Sequence, residues 1–291
     1  MKIALCLHGL VGTTDKYGSG TKEIPPEVGY AHFKKHLIEK NDHVDTFIHT
    51  WSTNWQENLK DLYNPVKIIA EPQPQFIKNQ ELKEIAKRSM KDPTWTPPVR
   101  HELNRKQAIY CRWKSTQKVL NMVKESGRQY DYILLTRFDI AFLVDFIFKD
   151  CDPEKFYVQG PPGGHFRGLE LVNDLWFFAS QENMMKFSTL FDNLEKEKYL
   201  PHIDSNHELA RRHLIETGLN EKLEYIFKRN WTGTPGKILT DTPLVRWFYD
   251  AFLDESILDH GPNTLALLDN KRKKYAASIS TQETRWPHRF Y

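Results

Sequence analysis

The stretch Tyr130-Asp131-Tyr132-Ile133-Leu134-Leu135-Thr136 restricts the fold more than any other in the chain. Its apolar residues are consecutive rather than alternating. That pattern belongs to a central strand covered on both faces, as parallel sheets with helices on each side require. Similar short runs stand at Lys2 to Leu7 (KIALCL), in HVDTFIHTW ending near His49, and at Pro65 to Ala70 (PVKIIA). Helical patterns fall between them, from about Val28 to Lys40 and from Glu102 to Lys124. In the longer one Ile109, Trp113, Thr116, Leu120 and Val123 recur at three- and four-residue steps, and Gly127 is placed to stop it. Strand alternating with helix predicts an α/β fold, a mostly parallel open sheet flanked by helices.

Further strands are expected at Lys155 to Gln159, Leu175 to Ala179 and Lys222 to Phe227. Helices are expected at Gln181 to Leu194 and Ser205 to Thr217. Residues 71–100 hold five prolines and read as an excursion at the sheet edge, with a short helix near Gln80 to Met90. The 291 residues are expected to form one domain.

Charge and cysteine usage remove several function classes. A net charge of +3 is too small for a nucleic-acid footprint. Cys6, Cys111 and Cys151 fit neither a disulfide framework nor a zinc pattern, so free thiols and a cytoplasmic setting are expected. No run approaches the ~20 apolar residues of a membrane span. The N-terminal run is broken at His8 and reads as a first core strand rather than a signal peptide. The run Lys271 to Lys274 reads as solvated surface or as a weak membrane-surface or polyanion contact.

The candidate chemistry starts where the central strand stops, in TRFDIAF, Thr136 to Phe142. A carboxylate there needs water, a partner or a metal. In open α/β sheets ligands gather at the carboxyl ends of strands. Asp139 therefore stands where a diphosphate would lie, and Arg137 can bind phosphate or orient Asp139. A plain Arg–Asp pair closing a strand is the alternative.

In the order KIALCLHG, DTFIHTW, the long helix with YCRWKS, YDYILLTRFDIAF and NDLWFFAS, the chain resembles GT-A-fold glycosyltransferases, such as the polysaccharide-building enzymes of bacteria and large DNA viruses. The resemblance covers Met1 to Leu219. It implies a GT-A-like sheet, with residues 1–145 binding a nucleotide-sugar, UDP-linked in the first instance, and residues 146–291 binding a glycan acceptor. It also implies that Asp139 binds Mn²⁺ or Mg²⁺ bridging the donor phosphates. The usual motif has two Asp residues two apart, whereas Arg137 and Ala141 flank Asp139 here. Metal binding would rest on Asp139 with a later residue, or Arg137 would serve as the counter-charge without metal.

The loop His8 to Thr21 would then face the nucleotide, with Gly9, Gly12, Thr13 and Thr14 letting backbone amides approach phosphate or ribose. It is not a Walker-type loop, which argues against a sulfotransferase or kinase. Thr50 and Trp51 would meet the base, unless Trp51 is a packed core residue.

An inverting transfer needs a carboxylate base on the acceptor side. Asp174, between the GPPGGHFRG loop and the LWFFA strand, is the first candidate, with a strand-start residue as the alternative. Glu208 is the second, although Ser205 to Glu208 also fits a helix capping box. Asp204 follows. His207 and His213 are six apart and do not share a helix face, which rules out a zinc-protease motif. His165 or His213 would supply a metal ligand, and Arg211 and Arg212 a phosphate counter-charge, or all four are surface or packing residues. A non-catalytic glycan-binding or assembly protein on the same fold is the alternative function.

Overall fold

In a computed structural model the described residues are 1–12, 23–76, 98–159, 171–199 and 205–226, with Val245, Phe252, Leu258 and Leu268. Seven strands form one sheet: β1 (Lys2–Gly9), β2 (His43–Thr50), β3 (Lys67–Ala70), β4 (Tyr132–Thr136), β5 (Phe156–Val158), β6 (Trp176–Ser180) and β7 (Leu223–Tyr225). Their order is β3-β2-β1-β4-β6-β5-β7. β1 runs parallel to both β2 and β4, β2 to β3, and β5 to β7. Only β6 among them is reversed, pairing antiparallel with β4 and β5. The expected α/β class, a mostly parallel open sheet flanked by helices, is what forms.

The helices are α1 (Pro26–Phe33), α2 (Gln56–Tyr63), α3 (Pro98–Glu125), α4 (Gln181–Phe187), α5 (Leu190–Asn193) and α6 (Asn206–Glu216). α1 runs on into a π-helical turn, Lys34–Ile38. Period-2 alternation divides β1 between two cores. Ile3, Leu5 and Leu7 join Phe33, Leu37, Leu59 and Tyr63 of α1, its extension and α2. Ala4 and Cys6 join Trp113, Leu120 and Val123 of α3. Burial of both faces is the reason these strands read as continuous apolar runs.

Some boundaries differ from expectation. One helix expected over 181–194 is two, α4 and α5. Ser188 Oγ donates to the Met185 carbonyl at 2.7 Å and Thr189 Oγ1 to that of Lys186 at 3.0 Å. Such side chains compete with the helical ladder at the break. α2 has no counterpart in the sequence reading; Asn64, at φ 41°, ends it in the left-handed region. The helix expected near 80–90 lies outside the described residues.

β1 and β4 are adjacent, yet the chain leaves β1 on one side for β2 and β3 and reaches β4 on the other. That is the topological switch point, where open α/β sheets carry their ligand crevice. α1 packs against the segment leaving β4 so closely that a Cβ at Gly29 would collide with the Phe138 carbonyl oxygen. Gly29→Ala gains up to ~1 kcal/mol of helix propensity. Overpacking against fixed backbone costs about 1–3 kcal/mol. The substitution should therefore lower the urea midpoint of unfolding; an unchanged or raised midpoint would show that α1 can shift away.

Candidate functional site

Two loops meet at the switch point. The first leaves β1 through Gly9, at φ 94°, and Gly12, at φ 131°, both in the region that favours glycine. It is held against the end of β2. Thr50 Oγ1 donates to the Gly9 carbonyl at 2.9 Å, the Trp51 amide to the same oxygen at 3.2 Å, and the Val11 amide to Ser52 Oγ at 3.1 Å. From α3, Ser115 Oγ accepts the Gly9 amide at 2.8 Å. The second loop leaves β4 as Arg137-Phe138-Asp139. A Cβ at Gly12 would stand 3.1 Å from that of Asp139, so only glycine lets the two loops touch without displacement.

Asp139 is 2% exposed. Its Oδ2 accepts from Arg137 Nη2 at 2.6 Å, and its Oδ1 has no hydrogen-bond partner among the described residues. A buried carboxylate oxygen left unpaired is costly in an isolated protein, and a ligand can remove that cost.

A second buried pair lies alongside. Arg112, on α3, donates through Nη1 to Asp174 Oδ2 and through Nη2 to the Asp174 carbonyl oxygen. His207, at the start of α6, places Nδ1 3.2 Å from Asp174 Oδ1 and 3.0 Å from the Val172 carbonyl. Pairing of Thr136 with Trp176 in the sheet brings the start of β6 beside the end of β4, so the two ion pairs share one edge. Burial would raise the Asp174 pKa, but Arg112, then His207 and Arg137, outweigh it and hold the carboxyl at about 2. His8, at the end of β1, is pushed well below the usual imidazole range by burial first, then by Arg112 and Arg137. It is a neutral group in a cationic setting.

The structure brings His8, Gly9, Gly12, Thr50, Arg137, Asp139 and Asp174 to this edge. Two of the readings change. Trp51 is 6% exposed, meets His49 edge-on at 4.4 Å and donates Nε1 to the Cys111 carbonyl at 3.2 Å. Its indole is part of the packing beneath the loop rather than a platform for a base. Asp174 is engaged on both oxygens and too acidic to accept a proton well near neutral pH, so the general-base reading gives way to a buried ion pair.

Glu208 donates its backbone amide to Ser205 Oγ at 3.3 Å, the N-cap bond of α6. His213 is fully buried, with Nδ1 2.7 Å from the Tyr199 hydroxyl, and is a core residue. Arg211 bonds Asn220, and Arg212 pairs with Glu216 at 2.6 Å. Thr13, Thr14, His165 and Asp204 lie outside the described residues. Nothing in the sequence singles out Arg112 beyond its place at the margin of the buried α3 stripe, three residues after Ile109 and four before Thr116. Ser115, on the same helix, is equally inconspicuous there.

The expected Mn²⁺ or Mg²⁺ finds few ligands among the described residues. Mg²⁺ takes six oxygens, of which one or two come from carboxylates and the rest from water and substrate phosphates. Among the described residues no three His, Cys, Asp or Glu side chains converge on a possible metal position. Asp139 offers one oxygen, its other being held by Arg137. Among the described residues the ion would have one carboxylate oxygen, standing beside the Arg137 guanidinium; His165 and Asp204 lie outside them.

No family model matches the chain, and no curated protein does. Among solved structures, the crystal structure of mouse xyloside xylosyltransferase 1, apo form, is similar over 78% of this chain and 84% of that one. The identity is 9% and the TM-score 0.36. No helix among the described residues is long and apolar enough to cross a membrane.

The Asp174 pair has a pH signature. Its carboxyl stands at about 2 when folded, against an ordinary 3.8, so unfolding binds a proton between those values. The resulting stability, roughly 2 kcal/mol, is present above about pH 4 and lost as pH falls towards 2. Asp174→Asn should flatten stability over that window. At neutral pH it should cost about 3 kcal/mol, because Arg112 is left buried and unpaired. Urea unfolding at a series of pH values measures both; an unaltered acid slope would mean that Asp174 is not held low.

Proposed function

We propose that the chain is a glycosyltransferase, moving a sugar from a nucleotide-sugar, UDP-linked in the first instance, to a hydroxyl of a glycan acceptor. The observation that carries this reading is the convergence of two guanidiniums, Arg112 held by Asp174 and Arg137 held by Asp139, with an Asp139 oxygen that has no partner among the described residues, beneath a glycine loop at the switch point of the sheet. A leaving diphosphate gathers negative charge as the anomeric C–O bond breaks. Fixed cations at a site of low dielectric stabilise that charge without reorganising.

The β1 loop is suited to the phosphate and ribose side, because Gly9 and Gly12 allow backbone to come close. Thr50, Ser52 and Ser115 hold that loop in place. Asp139 Oδ1 would take a hydroxyl of the bound sugar or of the acceptor. Asp174 acts through Arg112, as a positioning residue. Its commitment to that pair also favours a second reading, a glycan-binding or assembly protein without turnover.

Donor hydrolysis separates the two. A panel of nucleotide-sugars, scored with and without glycan acceptors, should include one that the protein cleaves. UDP at a hundred times its Kd should stabilise the fold by about 2.7 kcal/mol. Asp139→Asn should abolish turnover while the protein stays folded. If no nucleotide-sugar is cleaved and UDP still stabilises the fold, the assembly reading replaces the enzymatic one; if no nucleotide binds at all, both the donor site and the enzyme are lost.

A further inference from the structure

We infer that this site holds the donor diphosphate on its guanidinium groups and not through a divalent ion. The inference rests on the transferase reading above and concerns how the same site meets its substrate. Asp139 is the one carboxylate at the end of β4, and the residues two positions either side are Arg137 and Ala141. The first already neutralises Asp139, with Nη2 2.6 Å from Oδ2; the second is a fully buried methyl. A metal bound at Oδ1 would stand beside the Arg137 guanidinium, like charge against like, with no second uncommitted carboxylate among the described residues to offset it. The other acidic group of the cluster, Asp174, is taken by Arg112 and His207.

The same atoms suit a diphosphate directly. A guanidinium has five N–H donors in a planar fork matched to phosphate oxygens. Asp139 occupies one donor of Arg137, whose side chain remains 22% exposed. Arg112 keeps a buried Nε–H without a partner among the described residues. In the free protein the two aspartates compensate the two arginines. A bound diphosphate would share those guanidiniums, adding its charge to a cluster whose own formal charges cancel. The substrate thus supplies the anion that the arginines still have donors for.

The experiment is titration of UDP into the full chain by calorimetry, after chelator treatment and again with millimolar Mn²⁺. UDP should bind chelated protein as tightly as protein with Mn²⁺. Arg137→Ala should weaken binding to the chelated protein tenfold or more, a loss of about one charge-assisted hydrogen bond. It also frees both oxygens of Asp139, so Mn²⁺ should now recover part of the lost affinity, a dependence absent from the unsubstituted protein. Arg112→Lys, which keeps the charge but not the fork, should weaken binding without creating a metal requirement. Binding to the unsubstituted protein only when Mn²⁺ is present would overturn the inference and leave the transferase reading standing. Failure to bind UDP under either condition would remove both.

Discussion

Two carboxylates and two guanidiniums share one buried edge of this sheet, and the requirement that each charge be paired shapes everything around them. Moving an ion out of water costs several kcal/mol unless a partner and further hydrogen bonds compensate it. Arg137 meets that need for Asp139 from two residues away. Arg112 must reach Asp174 from another element altogether, which fixes α3 against the start of β6. The long helix is therefore a structural cover for one core and also the carrier of a cation delivered to the site.

Ser115 extends the same coupling to the glycine loop. Its hydroxyl accepts the Gly9 amide at 2.8 Å and lies 2.6 Å from His49 Nδ1, while His49 Nε2 lies 3.1 Å from Glu71 Oε1. Glu71 also pairs with Lys118, one turn of α3 further on. Burial pushes His49 down to about 4 against the opposing pull of Glu71, so the ring is neutral and works as a hydrogen-bonding spacer. A chain of polar groups thus runs from the sheet surface to the loop backbone, each member fixing the next. Rigid support of this kind is what holds a binding loop at a defined distance from charges across a crevice.

The sheet was legible in the sequence because its interior strands are buried on both faces. KIALCL and YILLT show as unbroken apolar runs, and the α3 stripe shows at helical spacing. The reversal of β6 was not legible: Trp176 to Ala179 is as apolar as any parallel strand here, and direction leaves no mark on composition. Asp139 stood out because it follows a core strand at once. Arg112 did not, since a cation on a helix ordinarily reads as surface, and its burial depends on Asp174, sixty-two residues later. The same long-range dependence misdirects the reading of Asp174. A carboxylate before a strand looks available until the partner that occupies it is in place. Trp51 was ambiguous for a related reason, because packing and stacking use the same apolar face and only the neighbours distinguish them.

What emerges is a site whose charges are balanced before any ligand arrives, with one buried carboxylate oxygen and one buried guanidinium N–H unmatched among the described residues. Such an arrangement is stable enough to fold, since most of each desolvation cost is offset internally. It is also incomplete in a directional way. The unmatched acceptor asks for a hydroxyl, and the unmatched donor asks for an anionic oxygen. A sugar joined to a phosphate carries both groups a few bonds apart, whereas a bare metal ion would satisfy the acceptor alone and repel the neighbouring cations. On the transferase reading proposed above, a phosphorylated sugar would complete the polar bonds the fold leaves unmade, without a second acidic residue beside Asp139.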